Sequence, residues 1–485
     1  MMKRGYIILA FALLAIVPAK GQDNSFVEEY RRFQKEAISV YSDFRKECND
    51  KYAEFLLLGW EWFQVMPEIP QPVKEEEPPV IYEDQEEETP IEIEHEKVTV
   101  PEPVIEEQPQ PVAPIEERPV NKPSAFSFSY FGTILSVRAE DQNRFVLKSL
   151  APKELSNTWE RLSGPEYDNI VIDCLKIRDE YELCDWAYLL MLQSFSNAFL
   201  NGENERTLIT AYIFSQSGYK MRLAMGKDKL YMLYACKHQI YEKPYFDIDG
   251  TYYYSLENVP DGIQIANFSF PKESNLSLNI LHEPKLARNN STLRKLQSKE
   301  YPVSVSCSVN KNLLDFFDTY PTSNINDDMM TRWAMYANTP LDEETKNQIY
   351  PRLKQAIAGK SKTEAATILL NFVQTSLEYE YDEKVWGHDR AFFAEESLYY
   401  PYCDCEDRSI LFSHLIRDLL ELDILLVYYP GHLSTAVLFD GPVNGDYLMV
   451  DSKKYIICDP TYIGAPIGVN MPKMKSKKAN VILLQ

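Results

Sequence analysis

The sequence predicts an α+β protein, because runs of strand-like residues follow helical segments in two parts of the chain. The helical segments have apolar residues at helical spacing, and the strand-like runs are short and rich in β-branched and aromatic residues. In the middle of the chain, helices at 181–199 and 205–216 precede strand-like runs at 220–224, 230–236 and 251–254. Near the C-terminus, helices at 364–377 and 409–422 precede runs at 424–427, 433–439, 447–450 and 455–458.

Composition limits the classes of protein that this chain can represent. Its 485 residues are enough for two or three domains, and its 32 tyrosines indicate large buried cores. The formal net charge is −23, and no cluster of Lys and Arg is present, so nucleic acid is not an expected partner. Eight cysteines are too few for a disulfide scaffold in a chain of this length.

The first residues have the pattern of an export signal. Lys3 and Arg4 give a positive start, an apolar run follows from Tyr6 to Val17, and small residues precede Gln22. We therefore expect residues 1–21 to be a signal peptide and the protein to be exported, periplasmic or secreted, with a cell-envelope partner. The alternative is an uncleaved membrane anchor.

Residues 22–66 are predicted to form a long amphipathic helix. Its apolar residues follow steps of three and four and make one stripe, from Phe26 through Phe44 and Cys48 to Phe55. Two interpretations remain open for this stripe. The helix pairs with a second copy as a coiled coil, which gives self-association, or it packs on the chain's own globular part.

Residues 67–124 differ in composition from the rest of the chain. Prolines recur every few residues between glutamate runs such as 75–77 and 86–88. Proline removes backbone donors and like charges repel, so we expect a disordered, extended linker without a core. The remaining chain divides into an α+β accessory domain at 125–300 and a C-terminal domain at 301–485.

Three residues of the C-terminal domain form a candidate catalytic triad. Cys405 begins a helix, His432 begins a strand, and Asp459 ends one. A helix N-terminus stabilises a thiolate and offers backbone N–H groups to an oxyanion. An imidazole can then move the proton, and a carboxylate can orient the imidazole.

The same segment resembles a known family, the transglutaminase-like superfamily of papain-type thiol domains. Residues 403–409, Cys-Asp-Cys-Glu-Asp-Arg-Ser, are similar to the family's nucleophile segment, and Asp459-Pro460-Thr461 is similar to its D-P-T element. The resemblance extends from about Thr363 to Pro466. It implies a papain-like core of a helix packed on an antiparallel sheet, with Cys405 as nucleophile, His432 as general base and then acid, and Asp459 as its orienting residue.

The activity implied by this resemblance is acyl transfer through a thioester on Cys405. We expect a peptidase or amidase acting on a protein or peptide substrate, with transamidation as the other outcome and with no cofactor or metal. The rival hypothesis is a non-catalytic scaffold or binding protein.

Other roles for nearby residues remain open. Asp451 is a rival orienting residue. Cys403, Cys405, His432 and Cys458 have the residue types of a zinc site, and Cys403 or Cys458 is a candidate disulfide partner for Cys405. His388 is a candidate cleft residue, whereas His414 lies inside a helix and is expected to be structural.

The middle of the chain also resembles the nucleophile region weakly. Aligning Arg206 with Arg408 puts Glu203 at the nucleophile position and Leu230 near the position of His432. The accessory domain is then a degenerate copy without the triad. Chance is the alternative, because a helix followed by strands is a common pattern.

Overall fold

The computed structural model describes residues 24–72, 80–83, 89–100, 108–119 and 125–484. The expected signal peptide, residues 1–21, lies outside the described residues. Within them the chain forms α-helices together with mainly antiparallel sheets, which confirms the α+β class. None of the described helices has both the length and the apolar character needed to cross a membrane.

The described residues form twelve α-helices, the last of which precedes β16. The α-helices are α1 (Asn24–Leu58), α2 (Pro152–Leu162), α3 (Asp168–Glu180), α4 (Asp185–Phe199), α5 (Glu203–Gln216), α6 (Lys311–Phe317), α7 (Thr331–Asn338), α8 (Glu343–Ile357), α9 (Lys362–Ser376), α10 (Asp382–Val385), α11 (Ala394–Tyr399) and α12 (Cys405–Leu420).

The strands are mostly short. They are β1 (Trp60–Gln64), β2 (His95–Val98), β3 (Phe126–Tyr130), β4 (Thr133–Val137), β5 (Met221–Met225), β6 (Leu230–Ala235), β7 (Gln239–Ile240), β8 (Phe246–Ile248), β9 (Thr251–Ser255), β10 (Gly262–Ala266), β11 (Arg294–Gln297), β12 (Ser304–Cys307), β13 (Ser323–Asn324), β14 (Glu378–Tyr379), β15 (Tyr402–Cys403), β16 (Ile424–Tyr429), β17 (His432–Leu438), β18 (Tyr447–Val450), β19 (Lys453–Cys458) and β20 (Ala479–Leu483).

Two six-stranded sheets dominate the architecture. The first has the order β1-β10-β5-β6-β9-β8, and we call residues 125–281 together with β1 the middle unit. The second has the order β2-β20-β16-β17-β19-β18, and we call residues 301–484 together with β2 the C-terminal unit. In each unit a helix, α5 or α12, precedes the central hairpin and packs on its sheet.

The two sheets have the same connections between their five central and outer strands. In the middle unit β5 and β6 form the hairpin, β9 pairs with β6, β8 pairs with β9, and β10 returns to pair with β5. In the C-terminal unit β16 and β17 form the hairpin, β19 pairs with β17, β18 pairs with β19, and β20 returns to pair with β16. All of these pairs are antiparallel.

The end of α1 packs on the middle unit. Tyr52 is buried, and its ring centroid lies 4.5 Å from that of Trp159. Arg45 Nη2 lies 2.6 Å from Asp168 Oδ1, and Trp159 donates to Asn49 Oδ1 at 3.1 Å. From Cys48 to Leu56 the apolar stripe therefore packs on the chain's own core, whereas Phe44 is exposed. Self-association of the helix stays a prediction.

The described parts of residues 67–124 differ from the expected linker without packed contacts. β2 adds to the C-terminal sheet as a parallel neighbour of β20, and Ile93 is buried in the core beneath it. Further along, the carbonyl of Pro109 accepts from Arg178 at 2.7 Å in the middle unit. The reason is local: apolar residues alternate with charged ones around Ile93, which suits a strand added to an open sheet edge.

The expected domain boundary at residue 300 falls in the turn of a hairpin. β11 and β12 pair across it, from Arg294 opposite Cys307 to Gln297 opposite Ser304. The Arg294 guanidinium donates to the carbonyls of Ser397 and Tyr400. The hairpin thus packs with the C-terminal unit. The boundary was expected here because the polar sequence of this region resembles a connecting segment.

Candidate functional site

Cys405 is the first residue of α12, where its position follows from a capping box. The side chain of Asp404 accepts from the backbone N–H of Glu406 at 3.2 Å, and that of Asp407 accepts from Asp404 N–H at 3.1 Å. This reciprocal arrangement begins the helix at Cys405. The thiol consequently lies at the positive end of a 16-residue helix, which favours negative charge on sulfur.

His432 and Asp459 come together because of strand register. His432 begins β17, and Asp459 directly follows β19, its antiparallel neighbour. Thr435 lies opposite Cys458, so both site residues fall at the same end of the strand pair. His432 Nε2 lies 2.8 Å from Asp459 Oδ2. This contact orients the imidazole and leaves Nδ1 as the nitrogen that can exchange a proton with a thiol.

Asp459 is held on its other oxygen as well. Oδ1 accepts from the backbone N–H groups of Thr461 at 2.8 Å and Tyr462 at 3.1 Å. Gln374 of α9 donates through Nε2 to the carbonyls of Asp459 at 2.9 Å and Tyr462 at 2.8 Å. Its Oε1 accepts from Gly464 at 3.3 Å. The carboxylate is therefore positioned by its own turn, and that turn is tied to a helix.

The Cys405 thiol has two nearby hydrogen-bond contacts. The backbone N–H of Leu433, the residue after His432, donates to Sγ at 3.4 Å. The thiol itself donates to Glu406 Oε2 at 3.4 Å. The first contact stabilises a thiolate, whereas the buried Glu406 carboxylate favours the protonated thiol. The surroundings of the Cys405 sulfur thus contain opposing influences on its ionisation.

Arg332 of α7 supplies a positive charge near that carboxylate. It is buried, its Nη2 lies 2.6 Å from Asp389 Oδ2, and Glu406 also attracts it. Carboxyl oxygens of Asp382, Asp389 and Glu406 come within 4.8 Å of one another, as do ligand atoms of Asp404, Cys405 and Glu406. Arg332 already lies beside the group formed by Asp382, Asp389 and Glu406. The negative charge of that group therefore has a cationic partner within the chain.

The three predicted site residues are all buried. Cys405 is 2 % exposed, and His432 and Asp459 are each 1 % exposed. Burial strengthens the charge interactions among them because little water screens these. It also means that a substrate reaches the sulfur only when neighbouring groups move. The described conformation is a closed one with respect to Cys405.

The other cysteines near the site lack the surroundings of a nucleophile. Burial raises the pKa of Cys403, whose Sγ donates to the Glu378 carbonyl at 3.6 Å. Burial also raises the pKa of Cys458. All eight cysteines of the chain are free, so the structure does not pair Cys405 with Cys403 or Cys458. The hypothetical disulfide of Cys405 with either cysteine is not formed in this conformation.

The residues named for a zinc site are not assembled as one. His432 Nε2 contacts Asp459, and the Cys403 and Cys405 sulfurs have separate hydrogen-bond partners. Among the described residues, two groups of possible metal ligands converge. They are Asp382, Asp389 and Glu406, and Asp404, Cys405 and Glu406, and neither contains Cys403, His432 or Cys458. The donor set for the hypothetical zinc ion is therefore incomplete.

The remaining candidates are two exposed residues and one buried histidine. Asp451 is exposed, and its Oδ2 contacts Lys97 Nζ at 2.7 Å. His388 is exposed, with Nδ1 3.1 Å from the Trp386 carbonyl oxygen. His414 is buried in α12, and burial lowers its pKa well below the usual value, so it is neutral. The acidic residue in contact with His432 is Asp459.

The sequence patterns did not indicate the supporting roles of Gln374 and Arg408. Gln374 had no local signal, because its partners are more than 80 positions away. Arg408 belongs to the nucleophile segment, and it is fully buried. It donates to the carbonyls of Gln374 at 3.3 Å and Leu377 at 2.9 Å. The arginine therefore fixes the end of α9 against the start of α12.

Comparison of the chain with protein-family models, curated proteins and solved structures finds no match.

Proposed function

We propose that the C-terminal unit is a transglutaminase-like thiol acyl-transfer enzyme that hydrolyses a peptide or glutamine-like amide. The observation that carries the proposal is the 2.8 Å contact between His432 Nε2 and Asp459 Oδ2, at a strand end that faces the start of α12. Cys405 is the nucleophile, His432 the general base and acid, and Asp459 the orienting residue.

In the first half-reaction, His432 takes the thiol proton and the Cys405 sulfur attacks the amide carbonyl carbon. The tetrahedral intermediate collapses with cleavage of the C–N bond, and His432 gives its proton to the leaving amine. In the second half-reaction, His432 takes a proton from water, and the resulting nucleophile attacks the thioester. Collapse of that intermediate breaks the C–S bond, releases the carboxylic acid and regenerates the thiol.

Burial of the triad and the Cys405–Glu406 hydrogen bond favour the second candidate, a non-catalytic binding protein. A carboxylate next to the sulfur opposes thiolate formation, and an inaccessible nucleophile does not react. The two candidates predict different reactivities for Cys405.

Alkylation by iodoacetamide at neutral pH separates the candidates, with the modified cysteines located by mass spectrometry. Cys403, Cys405 and Cys458 are matched in burial, at 3 %, 2 % and 0 % exposed, so accessibility alone predicts similar rates. An activated Cys405 should react about tenfold faster or more than the other two. Equal rates for the three thiols contradict the enzyme and favour the binding protein.

Two variants complete the experiment. Cys405→Ala should abolish the fast labelling, while Cys403→Ala should retain most of it. Addition of a fluorescent primary amine with a glutamine-containing peptide then distinguishes transamidation from hydrolysis. Incorporation of the amine means that amine, instead of water, resolves the thioester.

A further inference from the structure

Two short stretches of the Pro/Glu-rich region lie against segments that carry the candidate site. Residues 69–72 contact the loop that follows α10, and residues 80–83 contact the turn that follows Asp459. We call these two stretches together the strap. No role proposed above involves them.

The first stretch joins the middle unit to the C-terminal unit. The carbonyl of Ile69 accepts from the backbone N–H of Glu242 at 2.8 Å. Two residues later, the partly buried Gln71 donates through Nε2 to Asp389 Oδ2 at 2.5 Å. A hydrogen bond to a carboxylate is stronger than one between neutral groups. This contact therefore fixes the stretch on the loop after α10.

Asp389 connects the first stretch with Cys405. Its Oδ2 also contacts Arg332 Nη2 at 2.6 Å, and a carboxyl oxygen of Asp389 lies within 4.8 Å of one of Glu406. Glu406 in turn accepts from the Cys405 thiol at 3.4 Å. The contact made by Gln71 is therefore part of a network of charges that ends at the sulfur.

The second stretch forms a parallel β-bridge with the turn after Asp459. The N–H of Tyr82 donates to the Ile463 carbonyl at 2.8 Å, and the N–H of Ile463 donates to the Val80 carbonyl at 3.0 Å. Ile81, between them, is 71 % exposed, whereas Val80 and Tyr82 pack against the core of the C-terminal unit. This alternation is that of a strand with one face on the protein.

The side chain of Tyr82 contacts a residue that positions Asp459. Its ring centroid lies 5.6 Å from that of Tyr462, with the ring planes at 79°. Such edge-to-face pairs stabilise a structure beyond the area that they bury. The backbone N–H of Tyr462 donates to Asp459 Oδ1 at 3.1 Å. The second stretch is therefore linked to the orienting carboxylate, as the first is linked to the thiol.

The strap is better suited to move than the other elements around the triad. Cys405 is buried, so neighbouring groups have to move before a reagent reaches its sulfur. Gln374 and His432 belong to α9 and β17, which pack in the core of the C-terminal unit. The strap has neither a helix nor a paired strand of its own, and such segments open at a lower free-energy cost than core elements.

We propose that the strap is an autoinhibitory element that keeps Cys405 inaccessible while Gln71 contacts Asp389 and residues 80–82 contact Ile463. Release of the strap opens a path to the sulfur. The inference concerns access to Cys405, so it does not depend on whether Cys405 is a catalytic nucleophile.

The test measures alkylation of Cys405 by iodoacetamide in the full chain, with the modified cysteines located by mass spectrometry. The double substitution Gln71→Ala with Tyr82→Ala removes the side-chain hydrogen bond and the aromatic pair of the strap. Cys405 should then be alkylated about tenfold faster or more than in the unsubstituted protein, because both contacts stabilise the closed conformation.

Two kinds of control separate opening of the strap from general loss of stability. Cys403 and Cys458 are as buried as Cys405, and their rates should change less than about twofold, because release of the strap leaves the core folded. The matched variant is Gln64→Ala with Ile81→Ala. Gln64 donates to a backbone carbonyl of the middle unit at 2.9 Å, and Ile81 is exposed, so this variant should leave the Cys405 rate unchanged.

An unchanged Cys405 rate in the double variant overturns the proposal. Equal acceleration of all three thiols does so as well, since it would mean that the strap only stabilises the fold, and so does equal acceleration in the matched variant. Failure of the proposed function gives a different result. A double variant whose Cys405 is alkylated faster but which hydrolyses no peptide amide contradicts the enzyme and supports the strap.

Discussion

His432 and Asp459 are joined by a 2.8 Å contact between Nε2 and Oδ2, and the carboxylate has a second set of partners on Oδ1. An imidazole held at Nε2 can take a proton from the thiol only through Nδ1. The orientation of the ring, and hence which nitrogen meets the sulfur, therefore depends on Asp459.

Asp459→Asn is predicted to lower turnover by about two to four orders of magnitude with the fold intact. The amide offers an N–H where the carboxylate accepted one, so it favours the wrong tautomer. Asp451→Asn is the control, since Asp451 contacts Lys97 on the surface, and we expect a several-fold change at most. The measurements are amide hydrolysis and the alkylation rate of Cys405, with circular dichroism for folding. A larger effect at Asp451 contradicts the assignment of Asp459 but leaves the Cys405–His432 pair.

Gln374→Leu is predicted to reduce both stability and Cys405 reactivity. The change removes the Gln374 donor to the buried Asp459 carbonyl and one of two donors to the Tyr462 carbonyl, which costs about 1–3 kcal/mol in the free energy of unfolding. Because the turn that holds Asp459 loosens, alkylation of Cys405 should slow as well. Gln348→Leu is the matched control, because Gln348 also bonds to backbone, through Ser308, away from the thiol. It should lower stability without slowing alkylation, and equal slowing in both variants argues against a positioning role for Gln374.

The candidate triad was chosen from the sequence on local signals. Asp404 caps the helix that begins at Cys405, and Pro460 follows Asp459 at the end of a strand. Residues that act across long sequence distances had no such signal. The contact of Gln374 with the Asp459 turn and the proximity of Arg332 to Glu406 depend on how separate elements pack, and no spacing rule covers them.

Ile93→Ala is predicted to destabilise the C-terminal unit by about 2–5 kcal/mol, because it leaves a cavity in a packed core. Ile93 is 2 % exposed in the segment that was expected to be a linker. Ile81→Ala is the matched control from the same segment, since Ile81 is 71 % exposed, and it should change stability by less than about 0.5 kcal/mol. Urea unfolding followed by tryptophan fluorescence measures both. Similar small effects would mean that the segment is undocked in solution.

Of the strands in the two large sheets, patterns did not predict β1, β2, β8, β10 and β20, which lie at or next to a sheet edge. The central strands were found within a few residues, as with β6, expected at 230–236 and observed at Leu230–Ala235. β1 and β2 come from regions assigned to a helix and a linker, and each completes a sheet whose other strands lie far along the chain. Proline and glutamate content dominated the prediction for residues 67–124, although the alternation around Ile93 was present in the sequence.

Glu395→Gln is predicted to flatten the pH dependence of stability. Burial, together with the nearby charges of Asp342 and Glu396, raises the pKa of Glu395 to about 8, and its Oε1 accepts from the Asp342 N–H at 2.6 Å. In the unfolded chain the carboxyl titrates near its ordinary pKa of 4.5. Between these values the folded protein keeps the proton and the unfolded chain has lost it, so rising pH favours unfolding. The stability present below pH 4.5 is therefore lost by about pH 8.

Urea titrations at pH 5 and pH 8 should show a difference in unfolding free energy that is about 1–3 kcal/mol smaller for Glu395→Gln than for the unsubstituted protein. Glu343→Gln, at an exposed position of α8, should keep the full difference. An unchanged difference in Glu395→Gln would mean that Glu395 is ionised in the folded protein at neutral pH.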